Sequence, residues 1–156
     1  MDFERLLQML RAFEAHDVEY ILVGGAALGL HGLIRATEDV DLFVRPAPEN
    51  IERLRQALRS VWDDPDIEQI TVQDLAGEYP TVRYVPPDES LAVDLIAHLG
   101  SELRFEDLEA QTVILEGVRV RTATPRTLYR MKKDTIRPID RADAAALRDK
   151  FGLEGD

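Results

Sequence analysis

The chain has 156 residues, enough for one ordinary domain built on a single core. Hydrophobic residues make up 45% and charged ones 31%, a balance that excludes the disordered and membrane-embedded classes, and the net charge of −11 argues at first against a polyanion partner. No apolar run approaches the roughly 18 residues of a membrane span, and "MDFERLLQML" carries acids where a signal peptide needs base, so a cytoplasmic protein without a membrane partner is expected.

In chain order, residues 3–15 place Phe3, Leu6, Leu7, Leu10 and Phe13 on one helical face. "EYILVGG" (19–25) is a short strand stopped by glycine, and "AALGLHG" (26–32) a short helix stopped by Gly32. "DVDLFV" (39–44) is the second strand; Pro46 and Pro48 end it and open a helix over 49–62 with Ile51, Leu54, Leu58 and Val61 inward. Strands are predicted near 67–72, 81–86 and 91–97, a helix over 101–110, and a hairpin over 111–123 turning at Glu116-Gly117. Thr124-Pro125 caps and opens a helix through 136, and a last helix closes at Gly152. The order implies an α+β fold, a mixed β-sheet flanked by helices with a helical C-terminal segment, in a single domain over 1–156. The predicted minimal core spans about 19–97, with the C-terminal hairpin and helices at 111–152.

Two acids interrupt the second strand. Residues two apart on a strand share a face, so Asp39 and Asp41 point one way while Val40, Leu42 and Val44 point the other. Paired carboxylates raise each other's pKa unless a positive charge sits between them, a role that a divalent cation fills. Asp94 repeats the pattern alone in "LAVDLIA"; if that strand lies beside 39–44, three carboxylates converge. The chain has no cysteine, so a metal would need oxygen or histidine ligands, and an oxygen-only set suits Mg²⁺ or Mn²⁺. Such sites support phosphoryl or nucleotidyl transfer. Gly24-Gly25 adds the junction of strand and helix, where backbone N–H groups can hold phosphate. It fits neither GxGxxG nor GxxxxGK[ST].

Residues 119–141 hold eight Lys or Arg against two Asp, a local +6 that leaves −17 for the rest of the chain. That asymmetry reads either as an anion site or as a solvated basic helix face.

Together these residues resemble the polymerase-beta-type nucleotidyltransferase superfamily: a strand, a double glycine, a short gap, an acid-x-acid pair and a third acid on a later strand, here Gly24, Gly25, Asp39, Asp41 and Asp94. The subgroup it looks most similar to is the small bacterial nucleotidyltransferases of toxin–antitoxin and abortive-infection systems, the AbiEii-like proteins. Their "GGxAxxxHG" and "R-x-T-x-D-x-D" are matched by Gly24, Gly25, Ala27, His31, Gly32, Arg35, Thr37, Asp39 and Asp41. Their C-terminal pattern is matched by Leu128, Lys132, Arg137, Asp140 and Asp143. The resemblance covers about 19–147, with Gly25 in place of the serine many members carry.

The resemblance implies a two-metal site of Mg²⁺ or Mn²⁺ on Asp39, Asp41 and Asp94, with Asp94 helping to activate the acceptor hydroxyl. A nucleoside triphosphate would be held by Gly24, Gly25, Arg35, Thr37, Lys132 and Arg137, with Lys132 counted among the catalytic residues. Lys133 points about 100° away on the helix. The implied acceptor is a hydroxyl on RNA, such as tRNA, or on protein, and the implied partner a cognate antitoxin or toxin chain. A catalytically silent nucleotide- or partner-binding module is the alternative, and a metal-dependent hydrolase using the same acids a third reading. His31 either orients a phosphate or, as the favoured reading, packs at a helix end. Asp140 and Asp143 either take part in the chemistry or hold Lys132 or Arg137 by salt bridges. Arg119 and Arg121 form a phosphate track or protect an edge strand. Tyr84 and Tyr129 either stack on a base or pack.

Overall fold

The computed structural model describes residues 1–33, 39–77, 81–99, 103–133 and 138–153. Among them the strands are β1 (Tyr20–Val23), β2 (Asp39–Val44), β3 (Thr81–Tyr84), β4 (Ala92–Ile96), β5 (His98–Leu99), β6 (Leu103–Arg104), β7 (Ala110–Leu115) and β8 (Val118–Ala123). The helices are α1 (Phe3–Ala15), α2 (Gly24–Leu30), α3 (Pro48–Val61), α4 (Val72–Leu75), α5 (Pro125–Lys132) and α6 (Pro138–Phe151).

Six of these strands form one mixed sheet in the order β3-β4-β2-β1-β8-β7, while β5 and β6 pair apart from it. β2 lies antiparallel to β1 and parallel to β4, and that parallel pairing sets Asp41 directly opposite Asp94 and Asp39 opposite Ala92. β1 is buried along its whole length, as expected of an inner strand of Tyr, Ile, Leu and Val. The apolar face of β2, Val40, Leu42 and Val44, is fully buried in the core with Phe13, Leu10, Ile51 and Leu54 of α1 and α3. α1 and α3 pack on each other; α5 and α6 do likewise, and α2 packs on β1 and β2.

The local chemistry accounts for the boundaries. Asp2 caps α1 by accepting from Arg5 N–H, Thr124 caps α5 by accepting from Thr127 N–H, and Pro48 and Pro125 stand in the first turns of their helices. The β7–β8 hairpin turns through Glu116 and Gly117, both at positive φ (49° and 78°), the backbone that a two-residue turn requires.

Two predicted elements are corrected. The strand expected at 67–72 is a 3-10 turn, Pro65–Gln69, followed by α4: Asp64 accepts from Asp66 N–H, Pro65 opens the turn and Thr71 caps α4 at Asp74 N–H. Side-chain caps at both breaks outweigh the β-branched residues there. The helix expected over 101–110 is, in its described part, β6, a 3-10 turn at Phe105–Asp107 and the start of β7. Asp107 closes that single turn by accepting from Arg104 N–H, and Ala110 already pairs with Ala123 across the hairpin.

Candidate active site

The site begins at the junction of β1 and α2. Gly24 takes φ +69°, and a Cβ built there would overlap Oδ2 of Asp41. Glycine is needed twice over, for the left-handed backbone and for the close approach of a carboxylate. No side chain caps the N-terminus of α2, in whose first turn Gly25 also lies.

Beside it, β2 and β4 bring the three predicted acids together on one face. Asp41 and Asp94 face each other across a parallel pair, where strands lie about 4.8 Å apart. Burial, then the charges of Asp94 and Asp39, push the pKa of Asp41 up to about 6, against the pull of Lys132. Arg83 of β3, opposite Asp94 on the antiparallel side, enters the same cluster. Its Nη1 donates to both Asp94 oxygens at 3.1 Å and its Nη2 to Asp39 Oδ1 at 3.1 Å. A guanidinium thus spans two strands to join acids that repel.

The opposite wall comes from the C-terminal helices. Lys132, the last residue of α5, donates from Nζ to Asp140 Oδ1 at 3.2 Å and to Asp143 Oδ2 at 3.1 Å, the acids standing three apart on α6. All three side chains are only 12–15% exposed, so each charge depends on the others. Gly24, Asp41, Leu128, Lys132 and Asp140 line one cleft of about 140 Å³. A larger cleft of about 530 Å³, lined by Pro46, His98, Arg104 and Phe105, lies beyond the C-terminal ends of β2 and β4, away from the acids.

As a donor set, three carboxylates suit a hard divalent cation. Among the described residues, however, no group of three or more acids or histidines is arranged to hold a metal ion, and Asp39 and Asp94 are both paired with Arg83. Burial of Asp41, with the negative charges of Asp94 and Asp39 beside it, disfavours its ionised form even with Lys132 nearby.

Of the other predicted site residues, Arg35, Thr37 and Arg137 lie outside the described residues. His31 meets the backbone oxygen of Ala123 through Nε2 at 2.8 Å and packs edge-on to Phe151, holding the end of α2. Tyr84 is buried and donates to Asp64 at 2.9 Å, so it is not a base platform; Tyr129 packs against the core with Lys133 over its ring. Arg119 and Arg121 stand on β8 beside Glu14 and Tyr20, two strands from Asp41. Arg83 is the site residue the sequence reading lacks; its one signal is the alternation of "TVRYV", which sets it on the face away from buried Tyr84.

A family model described as "Nucleotidyl transferase AbiEii toxin, Type IV TA system" matches residues 5–151. The chain belongs to this family. No curated protein sequence matches it significantly. Solved structures resemble the fold at low identity. A Thermotoga maritima protein assigned as a nucleotidyltransferase superposes with a TM-score of 0.59 at 10% identity, covering 96% of this chain and 91% of that one. ANT(2″)-Ia in complex with adenylyl-2″-tobramycin gives 0.57 at 12%, covering 94% and 87%. A nucleotidyltransferase-like antigen of Paracoccidioides brasiliensis gives 0.54 at 15%, covering 94% and 75%. With them, the α+β fold expected from the element order, and the nucleotidyltransferase type that the resemblance implies, are established for this AbiEii-family chain.

Two outcomes follow from the geometry. Gly24→Ala should cost about 1–3 kcal/mol in urea denaturation, whereas Gly29→Ala, with nothing within 4 Å of the added methyl, should be neutral or stabilise by up to about 1 kcal/mol. Because the pKa of Asp41 is raised on folding, the folded state holds a proton that the unfolded chain releases. Stability of the metal-free protein should therefore fall as pH rises from about 4 to about 6 and level off above. Thermal melts in EDTA should show that fall in the wild type and a smaller one in Asp41→Asn.

Proposed function

We propose that this AbiEii-family protein is a metal-dependent nucleotidyltransferase that moves a nucleoside monophosphate from a nucleoside triphosphate to a hydroxyl acceptor on RNA, such as tRNA, or on protein, with pyrophosphate leaving. The observation that carries the reading is the in-register pair Asp41 and Asp94, with Asp39 on the same face of β2, and Asp41 sharing one cleft with Gly24 and Lys132. ANT(2″)-Ia, solved with adenylyl-2″-tobramycin, supports an adenylyl group as one cargo of this fold. We take residues 1–156 as one catalytic domain acting in the cytoplasm, and the family's type IV toxin–antitoxin assignment supports a cognate antitoxin as partner.

Asp39, Asp41 and Asp94 would hold Mg²⁺ or Mn²⁺, which when bound neutralises phosphate charge and favours attack at the α-phosphorus. Asp94, the more enclosed partner of Arg83, would help activate the acceptor hydroxyl. Backbone N–H groups of Gly24 and Gly25 would receive phosphate oxygens, with Arg35, Thr37 and Arg137 contributing from outside the described residues. Lys132, fixed by Asp140 and Asp143, would set a positive charge against the triphosphate without needing to be ordered on binding. Lys133, whose Nζ lies 5.9 Å from the Tyr129 ring centroid, is directed elsewhere.

The grip of Arg83 on Asp39 and Asp94 favours a second reading, a silent module that binds nucleotide or partner without turnover. Pyrophosphate release and transfer of α-labelled nucleotide to a tRNA pool or to protein, measured with Mg²⁺ or Mn²⁺, separate the two. Wild type should turn over and Asp41→Asn should lose about 10²- to 10³-fold with its circular dichroism unchanged. Lys132→Ala should raise the triphosphate KM about 10- to 100-fold, and Lys133→Ala far less. Normal turnover by Asp41→Asn would refute the metal-site reading.

A further inference from the structure

Arg83 sits on β3, an edge strand of the sheet, where a charged side chain commonly serves only to discourage pairing with another chain. Its geometry is of another kind. An edge-protecting arginine extends into solvent; this one lies back over β4 and reaches β2, donating to Asp94 and Asp39 through both terminal nitrogens at 3.1 Å. The acids it joins belong to different strands, so only the sheet order brings the three groups together. The side chain is 52% exposed, so water can reach the guanidinium.

We propose that Arg83 is the built-in counter-ion of the acidic cluster, occupying in the metal-free protein the place between Asp39 and Asp94 that a divalent cation takes, so that metal binding is an exchange of cation for guanidinium. The inference rests on the metal-site reading above. Three carboxylates on one sheet face would otherwise repel without compensation, and the arginine fork supplies a positive charge that also satisfies several of their oxygens. A cation coordinated by Asp39 and Asp94 competes with Arg83, which engages both oxygens of Asp94 and Oδ1 of Asp39. Every metal-binding event then includes breaking both ion pairs, which lowers the apparent metal affinity and keeps the cluster assembled when no cation is present.

Calorimetric titration of MnCl₂ into the full chain tests this with wild type, Arg83→Met and Arg83→Lys. Arg83→Met should bind Mn²⁺ about three- to tenfold more tightly, the range set by two partly exposed ion pairs. Arg83→Lys keeps the charge but loses the fork, and should fall between. In EDTA, Arg83→Met should melt below wild type, and saturating Mn²⁺ should narrow the gap. Equal or weaker Mn²⁺ binding by Arg83→Met, or Arg83→Lys indistinguishable from wild type, would overturn the exchange while leaving the metal site standing. Should Arg83→Met fail to fold, the comparison of Arg83→Lys with wild type decides alone. Absence of Mn²⁺ binding in the folded wild type and in both variants would overturn the metal reading itself, and the exchange with it.

Discussion

Asp41 and Asp94 stand in register on adjacent parallel strands, and two carboxylates so placed repel at neutral pH unless positive charge is brought to them. Much of the surrounding structure answers that constraint. Arg83 comes from the edge of the sheet to bridge Asp94 and Asp39, and Lys132 comes from the far wall of the cleft to offset the charge of Asp41. Gly24 leaves the space into which the carboxylate of Asp41 fits. A chain that needed only a core would place apolar residues at 39, 41 and 94, as it does at 40, 42 and 95, which are fully buried.

The same arrangement separates permanent from exchangeable charge. Lys132 is enclosed and tied to Asp140 and Asp143, so its position is set before any ligand arrives, a condition that favours electrostatic assistance to a phosphate group. Arg83 is half exposed on an edge strand, where the proposed exchange would let a cation take its place. The enclosed charge stands on the helical wall and the exposed one on the sheet.

The legibility of these features in the sequence follows their range. α1 and β2 were readable to the residue: α1 carries an apolar period of 3.6 after the cap at Asp2, and β2 is a short apolar run, alternating through Val40 and Leu42, that Pro46 stops soon after its end. The convergence of Asp39, Asp41 and Asp94 was readable from the period of two, provided the strands were neighbours, which the β2–β4 pairing supplies. At 67–72 the apolar residues Ile67, Ile70 and Val72 mimic a strand, and the caps at Asp64 and Thr71 that break it act over only two or three residues. At 103–110 the local turn closed by Asp107 competes with helix propensity in the same way. Arg83 was illegible for a different reason: its meaning depends on the order β3-β4-β2, a long-range fact that no spacing within "TVRYV" records. The buried triad of Lys132, Asp140 and Asp143 was half legible, since the motif named the residues and only the packing of α5 on α6 chose the pairing.

The proposed function requires that three aspartates on β2 and β4 form a cation-dependent nucleotide site. Calorimetric titration of ATP, GTP, CTP and UTP into the full chain, with and without Mn²⁺, beside the double variant Asp39→Asn/Asp41→Asn, tests it directly. At least one triphosphate should bind only with the cation present, and the folded double variant should bind none. Failure of the folded wild type to bind any of the four with Mn²⁺, or binding that the double variant retains in full, would contradict it.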